Sequence, residues 1–371
     1  CYCAPIGPSA VTSARLTGTI RVVGAGLLGT SIGLALSKLG LDVVIEDASP
    51  ANEKLAIDYG AGRLAAASDA PGLVIVCVPP DVTSKVVAAE LSAFPAAVVT
   101  DVASVKASVL DELKARGADL ARYVGSHPMA GRERGGAISG RADLFLSRPW
   151  VIAPNEANSS AVIQLVENLA LDLGAAPVTV PANEHDRAVA LVSHVPQLVS
   201  SLLAARLVDA EAADVALAGQ GLRDTTRIAA SDPKLWLQIL GANSKPVAGV
   251  LHAFAEDLNQ LVAALDNVEA PGALATIGRA LEAGNRGVER IPGKHGGKHT
   301  EYAQLIVMIE DKPGELGRLF NEVGEIGVNI EELKLEHSPS AQVGLVELFV
   351  LPAVAERLSS ELSARGWRIA G

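Results

Sequence analysis

Val22-Val23-Gly24-Ala25-Gly26-Leu27-Leu28-Gly29 joins a short β-branched run to a helical segment that ends at Gly40. In such a strand–turn–helix the first glycine permits a tight turn and the second admits a pyrophosphate close to the backbone. The third lets the helix pack against the strand. Free N–H groups and the helix dipole favour the anion at the helix N-terminus. The stretch therefore predicts a dinucleotide site on Gly24, Gly26, Leu27, Leu28 and Gly29.

The nucleotide preference follows from the end of the next predicted strand. Asp47 stands there, about twenty residues after Gly26, where an acid accepts hydrogen bonds from ribose hydroxyls and repels a 2′-phosphate. Ala48 offers no cation for such a phosphate. We therefore predict NAD rather than NADP as the cofactor. Val78 and Pro79, which end another apolar strand, should also border it.

The composition argues against several classes of protein. The chain has 371 residues, 49% of them apolar, and a net charge of −11. This length allows two or three domains, and this charge argues against a nucleic-acid partner. Three scattered cysteines suggest neither a disulfide framework nor a metal site. Because no apolar segment looks long and uninterrupted enough to span a bilayer, we expect a cytoplasmic protein without a membrane partner. Residues 1–17 read as a disordered leader.

Three regions of different periodicity follow the leader. Residues 18–182 alternate β-branched runs with helical segments, which is typical of an α/β, doubly wound, Rossmann-like parallel sheet. Residues 183–291 are helical and apolar on more than one face, so these helices need each other or a second subunit as partners. A linker is predicted at 292–301. The predicted strands are Ile20–Val23, Val43–Glu46, Leu73–Val78, Ala97–Thr100, Tyr123–Ser126, Trp150–Ala153 and Pro177–Val180.

Residues 302–371 have the β-α-β-β-α order of a small ferredoxin-like α+β module. A further short strand is predicted at its end. In chain order the predicted elements are Ala303–Ile309, Gly314–Ile326, Ile330–Glu336, Leu345–Val350, Ala353–Arg365 and Trp367–Ile369.

Two predicted strand ends carry polar residues suited to proton transfer. Thr100-Asp101-Val102-Ala103-Ser104-Val105-Lys106 ends one strand, and Gly125-Ser126-His127-Pro128-Met129-Ala130-Gly131 ends another. Carboxyl ends of strands border the ligand crevice, so Ser104 and His127 should converge. Oxidation of an alcohol requires loss of its hydroxyl proton, and a neutral imidazole is the usual base near pH 7. We predict His127 and Ser104 as catalytic residues.

The helical region contains two arginines in Gly221-Leu222-Arg223-Asp224-Thr225-Thr226-Arg227-Ile228-Ala229, with Trp236 behind them. Arginines in an apolar domain are costly to bury without an anionic partner. A substrate carboxylate is one such partner. Salt bridges between subunits, involving Asp224, are the alternative, and the segment alone does not choose between them.

Several separated motifs make the sequence resemble the prephenate/arogenate dehydrogenase family of tyrosine biosynthesis. The resemblance rests on the glycine fingerprint, Asp-x-x-Ser-x-Lys at 101–106, His-Pro-Met-Ala-Gly at 127–131, Ser-His-x-Pro at 193–196 and Asp-x-Thr-Arg-Ile-Ala at 224–229. The C-terminal module resembles an ACT domain. Its usual effector turn corresponds to Asp311, Pro313, Gly314 and Leu316.

The resemblance implies an NAD-dependent oxidative decarboxylation of prephenate to 4-hydroxyphenylpyruvate. His127 would take the proton of the ring C4 hydroxyl as hydride passes to NAD, while Ser104 hydrogen-bonds that hydroxyl and orients His127. Arg227 would bind the ring carboxylate, for which its fork is suited. Further substrate-binding residues would be His185, His194, Asp224 and Trp236. It also implies a homodimer through the helical domain and, from the ACT domain, feedback inhibition by tyrosine.

Two positions depart from the family pattern. Gln197 stands where prephenate-using members commonly have histidine, and Arg132 where serine or threonine is usual. Both lie where the family contacts the substrate side chain, so arogenate is an alternative to prephenate. Because arginine is always charged and disfavours arogenate's ammonium group, we expect prephenate.

Two alternative functions agree less well with the sequence. A 3-hydroxyacid dehydrogenase would need a lysine near the start of the long helical domain, and Glu184–Leu207 contains none. A non-catalytic NAD-binding amino-acid sensor would not need a base, and the set of His127, Ser104 and Arg227 argues against it.

Overall fold

The computed structural model describes residues 14–130, 136–292, 302–310, 312–337 and 343–370. It divides into two compact units, Cys1–Phe254 and Ala255–Gly371. The strands of the first unit are β1 (Thr19–Val23), β2 (Asp42–Glu46), β3 (Arg63–Leu64), β4 (Leu73–Val76), β5 (Val98–Asp101), β6 (Tyr123–Pro128), β7 (Pro149–Ala153) and β8 (Ala176–Thr179).

Helices of the first unit flank this sheet and then follow it. They are α1 (Leu27–Lys38), α2 (Pro50–Asp58), α3 (Pro80–Ala93), α4 (Ala107–Ala115), α5 (Ser160–Asp172), α6 (Ala182–Val189), α7 (Val195–Ala205), α8 (Ala212–Val215), α9 (Gln220–Thr226), α10 (Pro233–Ala242) and α11 (Ser244–Asp266), which continues into the second unit. The predicted domain boundaries at 182/183 and 291/292 divide the chain more finely than these two units do, and they stay predictions.

The sheet has the strand order β3-β2-β1-β4-β5-β6-β7-β8. Because β1 lies between β2 and β4, the loops that follow β1 and β4 open a crevice at that point. The first six strands are parallel, as predicted. Strand β7 is antiparallel to β6, and β8 is parallel to β7, so the prediction of a fully parallel sheet is wrong for these two strands. The described part of the β6–β7 connection has only a 3₁₀ turn at Ala137–Ser139 and no crossover helix, and a parallel partner would need a crossover.

Alternating side chains of the central strands bury both faces of the sheet. Ile20 and Ile75 face the cluster that includes helices α1 and α5, whereas Val74 and Val99 face the cluster with α3 and α4. Burial on both faces explains the near-continuous apolar runs that identified these strands. The predicted strands match the observed ones within two residues; only the two-residue strand β3 has no counterpart among them.

Contacts with the body of the first unit begin closer to the N-terminus than predicted. Leu16 is buried, and the backbone N–H groups of Arg15 and Leu16 donate to the carboxylate of Asp172 at 2.9–3.0 Å. The expectation of a disordered leader is therefore wrong for these two residues. Residues 1–13 lie outside the described part of the chain.

The segment Ala182–Ala205 is one continuous helix, formed by α6, a π-helical turn at Ala190–His194 and α7. Contrary to the sequence-based expectation, its length and composition would suffice to cross a bilayer. However, His185, Asp186 and His194 of this helix are buried inside the first unit. Its exposed apolar residues, such as Val192 and Leu202, remain available to a partner. The burial of these three polar residues indicates a helix that packs within the protein.

The second unit contains α12 (Ala273–Val288), β9 (Ala303–Glu310), α13 (Glu315–Ile326), β10 (Glu332–His337), β11 (Val343–Val350), α14 (Pro352–Ala364) and β12 (Arg368–Ala370). Its four strands form an antiparallel sheet in the order β10-β11-β9-β12. Helices α13 and α14 contribute Leu319, Val323 and Leu358 to its core. The predicted β-α-β-β-α-β order is observed. Apart from Pro292, the predicted linker lies outside the described residues.

Candidate active site

The glycine turn after β1 has the geometry that a dinucleotide needs. Gly24 has φ +104°, and a Cβ there would lie 2.5 Å from the carbonyl oxygen of Cys77. A Cβ on Gly29 would collide with the carbonyl oxygen of Gly24. By contrast, a Cβ on Gly26 would have no heavy atom within 4 Å. Packing therefore requires the first and third glycines, whereas the second one faces open space in which a pyrophosphate fits.

Gly26 is the N-cap of α1, and no side chain caps the helix there. The first N–H groups of α1 are thus not satisfied by a side-chain cap, and Leu27 and Leu28 form its first turn. This arrangement suits the phosphates of NAD. The half-buried Val78 and the exposed Pro79 follow β4 on the other side of the crevice.

Asp47 follows β2 and is tied to the glycine turn. Its carboxylate accepts hydrogen bonds from the N–H of Ala25 at 2.6 Å and from the N–H of Ser49 at 2.7 Å. A carboxylate has about four lone-pair sites, so Asp47 retains capacity for ribose hydroxyls. Glu46 points elsewhere and pairs with the buried Arg21 at 2.6 Å, as strand alternation predicts.

His127 lies in β6 next to the end of β5, where Gly125 is paired with Asp101. Its Nδ1 is 2.9 Å from Nε2 of His185, and the two rings meet edge to face. The structure buries His185 against His127, on the first turns of α6. That His185 lines the substrate pocket stays a prediction.

Asp186 continues this contact on the far side of His185. One of its carboxylate oxygens lies 2.8 Å from Nδ1 of His185 and also accepts from the N–H of Lys106 at 2.8 Å. The other accepts from the N–H of Ala107 at 2.9 Å. Asp186 thus anchors α6 to the N-terminus of α4. Burial opposes its ionisation, but these hydrogen bonds prevail and the pKa of Asp186 is lowered.

A second buried charge cluster lies beneath these residues. The ammonium of Lys106 pairs with Asp101, and each side chain is at most 1% exposed. Asp101 also accepts from the hydroxyl of Tyr123 at 2.7 Å and from the N–H of Ala103 at 2.9 Å. Burial lowers the pKa of Lys106, although Asp101 opposes that shift.

The surroundings of His127 keep its imidazole neutral. Burial is the largest cause, and electrostatic interactions with His185, Lys106 and His194 add to it, so the pKa of His127 lies well below its ordinary value. A neutral imidazole is the form that accepts a proton. The site therefore provides a base across the neutral pH range.

Ser104 is half-buried just beyond the end of β5. It was expected to orient His127, but the Nδ1 of His127 contacts His185. Ser126 and Thr100 join the two strands instead: Thr100 donates to Ser126 at 3.1 Å, and Ser126 donates to the Asp101 carbonyl at 2.8 Å. A contact between Ser104 and the substrate hydroxyl stays a prediction.

His194 and Trp236 lie side by side, with ring centroids 5.9 Å apart, and their role in the substrate pocket stays a prediction. Asn243 holds this pair, because its amide lies 3.0 Å from Nδ1 of His194 and donates to the Asp186 carbonyl at 2.8 Å. Burial lowers the pKa of His194 to about 4. His194 is thus linked through Asn243 and Asp186 to the base.

Gln197 is buried on α7, and its amide donates to Ser231 at 2.8 Å. The segment Arg227–Ala229 packs against the same helix. Arg227 and Asp224 are nevertheless exposed, and Asp224 accepts from Gln220 at 2.8 Å. Arg223 is exposed as well, so within the single chain neither arginine is buried, and both alternatives for this segment stay open. A substrate role for Arg227 and Asp224 stays a prediction.

Two predicted residues, Arg132 and Asp311, lie outside the described residues. In the C-terminal module, Gly314 caps the N-terminus of α13 with φ +94°, next to the exposed Pro313. Leu316 is partly buried against the core of that module.

Sequence reasoning did not assign a role to three residues that the structure places at the site. Asp186 lies in α6 and Asn243 at the C-terminal end of α10, and the sequence pattern there does not separate functional residues from solvent-facing ones. Lys106 belongs to the quoted Asp-x-x-Ser-x-Lys motif, and its burial beside Asp101 is what gives it a role. The polar run Glu184-His185-Asp186-Arg187 at the start of an apolar helix was the available signal.

Comparisons with known proteins agree with this geometry. Residues 32–179 match the family model described as the nucleotide-binding domain of prephenate dehydrogenase, and residues 181–278 match that of its dimerization domain. A probable prephenate dehydrogenase of Streptomyces niveus is 38% identical over 356 residues, which cover 94% of this chain and 98% of the relative.

Two solved structures share the fold. Prephenate dehydrogenase from Aquifex aeolicus, in complex with hydroxyphenyl propionate and NAD⁺, has a TM-score of 0.65 and 23% identity, covering 75% of this chain and 100% of its own. Arogenate dehydrogenase from Synechocystis has a TM-score of 0.60 and 24% identity, covering 72% and 99%. At these identities the two likenesses show the shared fold. Together, the two family matches and the relative show that the chain belongs to the prephenate dehydrogenase family, whose members are NAD-dependent oxidoreductases.

Proposed function

We propose that this chain catalyses the oxidative decarboxylation of prephenate to 4-hydroxyphenylpyruvate. The observation that carries the proposal is His127, a neutral base at the end of β6, close to strand ends that border the nucleotide crevice. NAD supplies the hydride acceptor when bound. The glycine turn and Asp47 hold it through phosphate and ribose contacts.

Each residue of the proposed site has a separate role in this reaction. His127 takes the proton of the C4 hydroxyl, and Ser104 hydrogen-bonds that hydroxyl. Arg227 binds the ring carboxylate before it leaves as carbon dioxide, since its fork can bind both carboxylate oxygens. His194 and Trp236 form an aromatic and polar wall for the ring. Closing the site against water strengthens each of these contacts.

The activity test uses the full chain with prephenate and NAD, followed by absorbance of the reduced cofactor. We expect reduction of the cofactor, and a loss on the order of 10²–10⁴-fold in kcat for His127→Asn, with NAD affinity retained. His252→Gln, which changes an exposed histidine, is the matched control. Binding of NAD without any reduction would favour the sensor alternative.

The pH profile gives a second test of the base. Turnover falls when His127 becomes protonated, and its folded pKa is lowered. We therefore expect the acid limb of kcat/KM to lie below the ordinary histidine pKa of about 6.5. An acid limb well above that value would contradict the assignment.

Prephenate is proposed over arogenate because of Arg132, whose fixed charge opposes the ammonium group of arogenate. Gln197 is neutral, and its amide is engaged with Ser231. We expect Arg132→Thr to shift the ratio of kcat/KM values toward arogenate by about tenfold, or about 1.4 kcal/mol. A parent protein that already prefers arogenate would overturn this choice and point to Gln197.

We also propose that residues 302–371 form an ACT domain that binds tyrosine and mediates feedback inhibition. Support comes from the N-terminus of α13, where Gly314 provides no side-chain cap and the free N–H groups suit a carboxylate. A neighbouring groove of about 610 Å³ is lined in part by Arg318 and Arg365, together with Glu322 and Glu325. Deleting 302–371 should leave dehydrogenase activity and weaken inhibition by tyrosine. Unchanged inhibition would place tyrosine in the catalytic pocket.

A homodimer through the helical region is proposed as the working state. The match to the family's dimerization domain and the exposed apolar side chains Val192, Leu202 and Leu237 support it. We propose a cytoplasmic location, because the polar residues of Ala182–Ala205 serve the active site rather than a membrane. Light scattering of the purified chain without detergent should give twice the monomer mass.

A further inference from the structure

The contact between His127 and His185 belongs to a chain of hydrogen bonds with only one consistent direction. Its members are Asp186, His185 and His127, joined at 2.8 Å and 2.9 Å. An ionised carboxylate only accepts hydrogen bonds, whereas a neutral imidazole has one N–H and one lone pair. The proton positions can therefore be followed from Asp186 outward.

Asp186 is held as an acceptor by its other contacts. The N–H groups of Lys106 and Ala107 both donate to its carboxylate, at the start of α4. These two bonds and the helix dipole favour the charged form. The Nδ1 of His185 must then carry the proton shared with Asp186, which leaves a lone pair on its Nε2 when His185 is neutral.

That lone pair determines the state of His127. The Nδ1 of His127 must donate to Nε2 of His185, so the Nε2 of His127 carries the lone pair. We propose that Asp186 and His185 are positioning residues that set this tautomer and thereby make Nε2 of His127 the basic atom. The inference rests on the proposed function, because the substrate proton is what Nε2 would accept.

The direct test is the tautomer of His127, measured by ¹⁵N NMR of the histidine-labelled full chain at pH 8. Among seven histidines, the signal of His127 is identified by its loss in His127→Asn. We expect a protonated Nδ1 and an unprotonated Nε2, which is opposite to the preference of a free histidine side chain. A protonated Nε2 in the parent protein would overturn the proposal, whether or not the chain oxidises prephenate.

Variants of His185 test the consequence for turnover. His185→Leu removes the acceptor, so kcat should fall on the order of 100-fold while the Kd for NAD and the Tm change little. His185→Gln keeps an acceptor oxygen and should restore much of kcat. His252→Gln again serves as the control. Equal losses in both His185 variants, or losses matched by a lower Tm, would indicate a merely structural role.

The proposed dehydrogenase activity and the positioning role of His185 can be refuted separately. Absence of cofactor reduction together with the expected tautomer would refute the proposed function and leave the hydrogen-bond direction intact. Normal turnover in His185→Leu would refute the positioning role and leave the dehydrogenase assignment intact.

Discussion

The buried pair of Lys106 and Asp101 offers a quantitative test of how the site is held. Both side chains are almost completely inaccessible to solvent, at 1% and 0%. Asp101→Asn removes the negative charge but keeps the shape, and it leaves the Lys106 ammonium buried without its counter-charge. Breaking a buried pair in this way costs about 3–5 kcal/mol.

Loss of the Lys106 proton sets an upper limit on that cost, because a neutral amine can be buried without a counter-charge. At pH 7 deprotonation costs about 1.4 kcal/mol for each pH unit below the ordinary lysine pKa of about 10.4, or about 5 kcal/mol in all. Lys106→Met should cost less, about 2–3 kcal/mol, because Asp101 retains the hydroxyl of Tyr123 and the N–H of Ala103 as donors. The double variant should lose about 0–2 kcal/mol, since no charge remains unpaired.

The assay is chemical denaturation followed by tryptophan fluorescence, with Trp150 reporting from the core of the first unit. In Asp101→Asn, a neutral folded Lys106 binds fewer protons than the unfolded chain up to about pH 10.4. Its free energy of unfolding should therefore rise with pH, by at most about 1.4 kcal/mol per unit. Lys54→Met, which breaks the exposed pair with Asp58, is the control and should change little.

A double variant as unstable as the sum of its parents would refute the reasoning, because the two groups would then not interact. A pH-independent loss in Asp101→Asn would likewise show that Lys106 is not an unpaired buried cation.

Three further predictions concern the ligand sites. Gly29→Ala should lower the Tm because its Cβ meets a backbone carbonyl, whereas Gly26→Ala should leave the Tm unchanged and weaken NAD binding at least tenfold; equal Tm values would contradict the glycine roles. Asp47→Ser with Ala48→Arg should shift the kcat/KM preference toward NADP, and a parent that already prefers NADP would refute the cofactor assignment. Arg227→Ala should weaken substrate binding by about 2 kcal/mol with little change for NAD, whereas equal losses for both ligands would favour a structural salt bridge.

Much of the fold was predictable because its signals are local. The glycine turn, the apolar strands and the acid after β2 each depend on residues close in sequence, and burial on both faces makes the strands readable. The direction of β7 was not predictable in this way. It depends on whether a crossover helix returns the chain, and the sequence between β6 and β7 gave no clear sign of its absence.

From the sequence alone one can predict the candidate residues, with His127 as the base and the glycines as the cofactor turn, and recognise the family. Only the tertiary structure shows which side chains hold His127. His127 lies on a strand and His185 on a helix that is distant in the chain, and only packing brings the two rings within hydrogen-bond distance. Packing likewise brings Asp186 to the N–H of Lys106. Burial then lowers the pKa of His127. Periodicity reports which face of an element is apolar, but proton positions depend on the partners that the fold supplies.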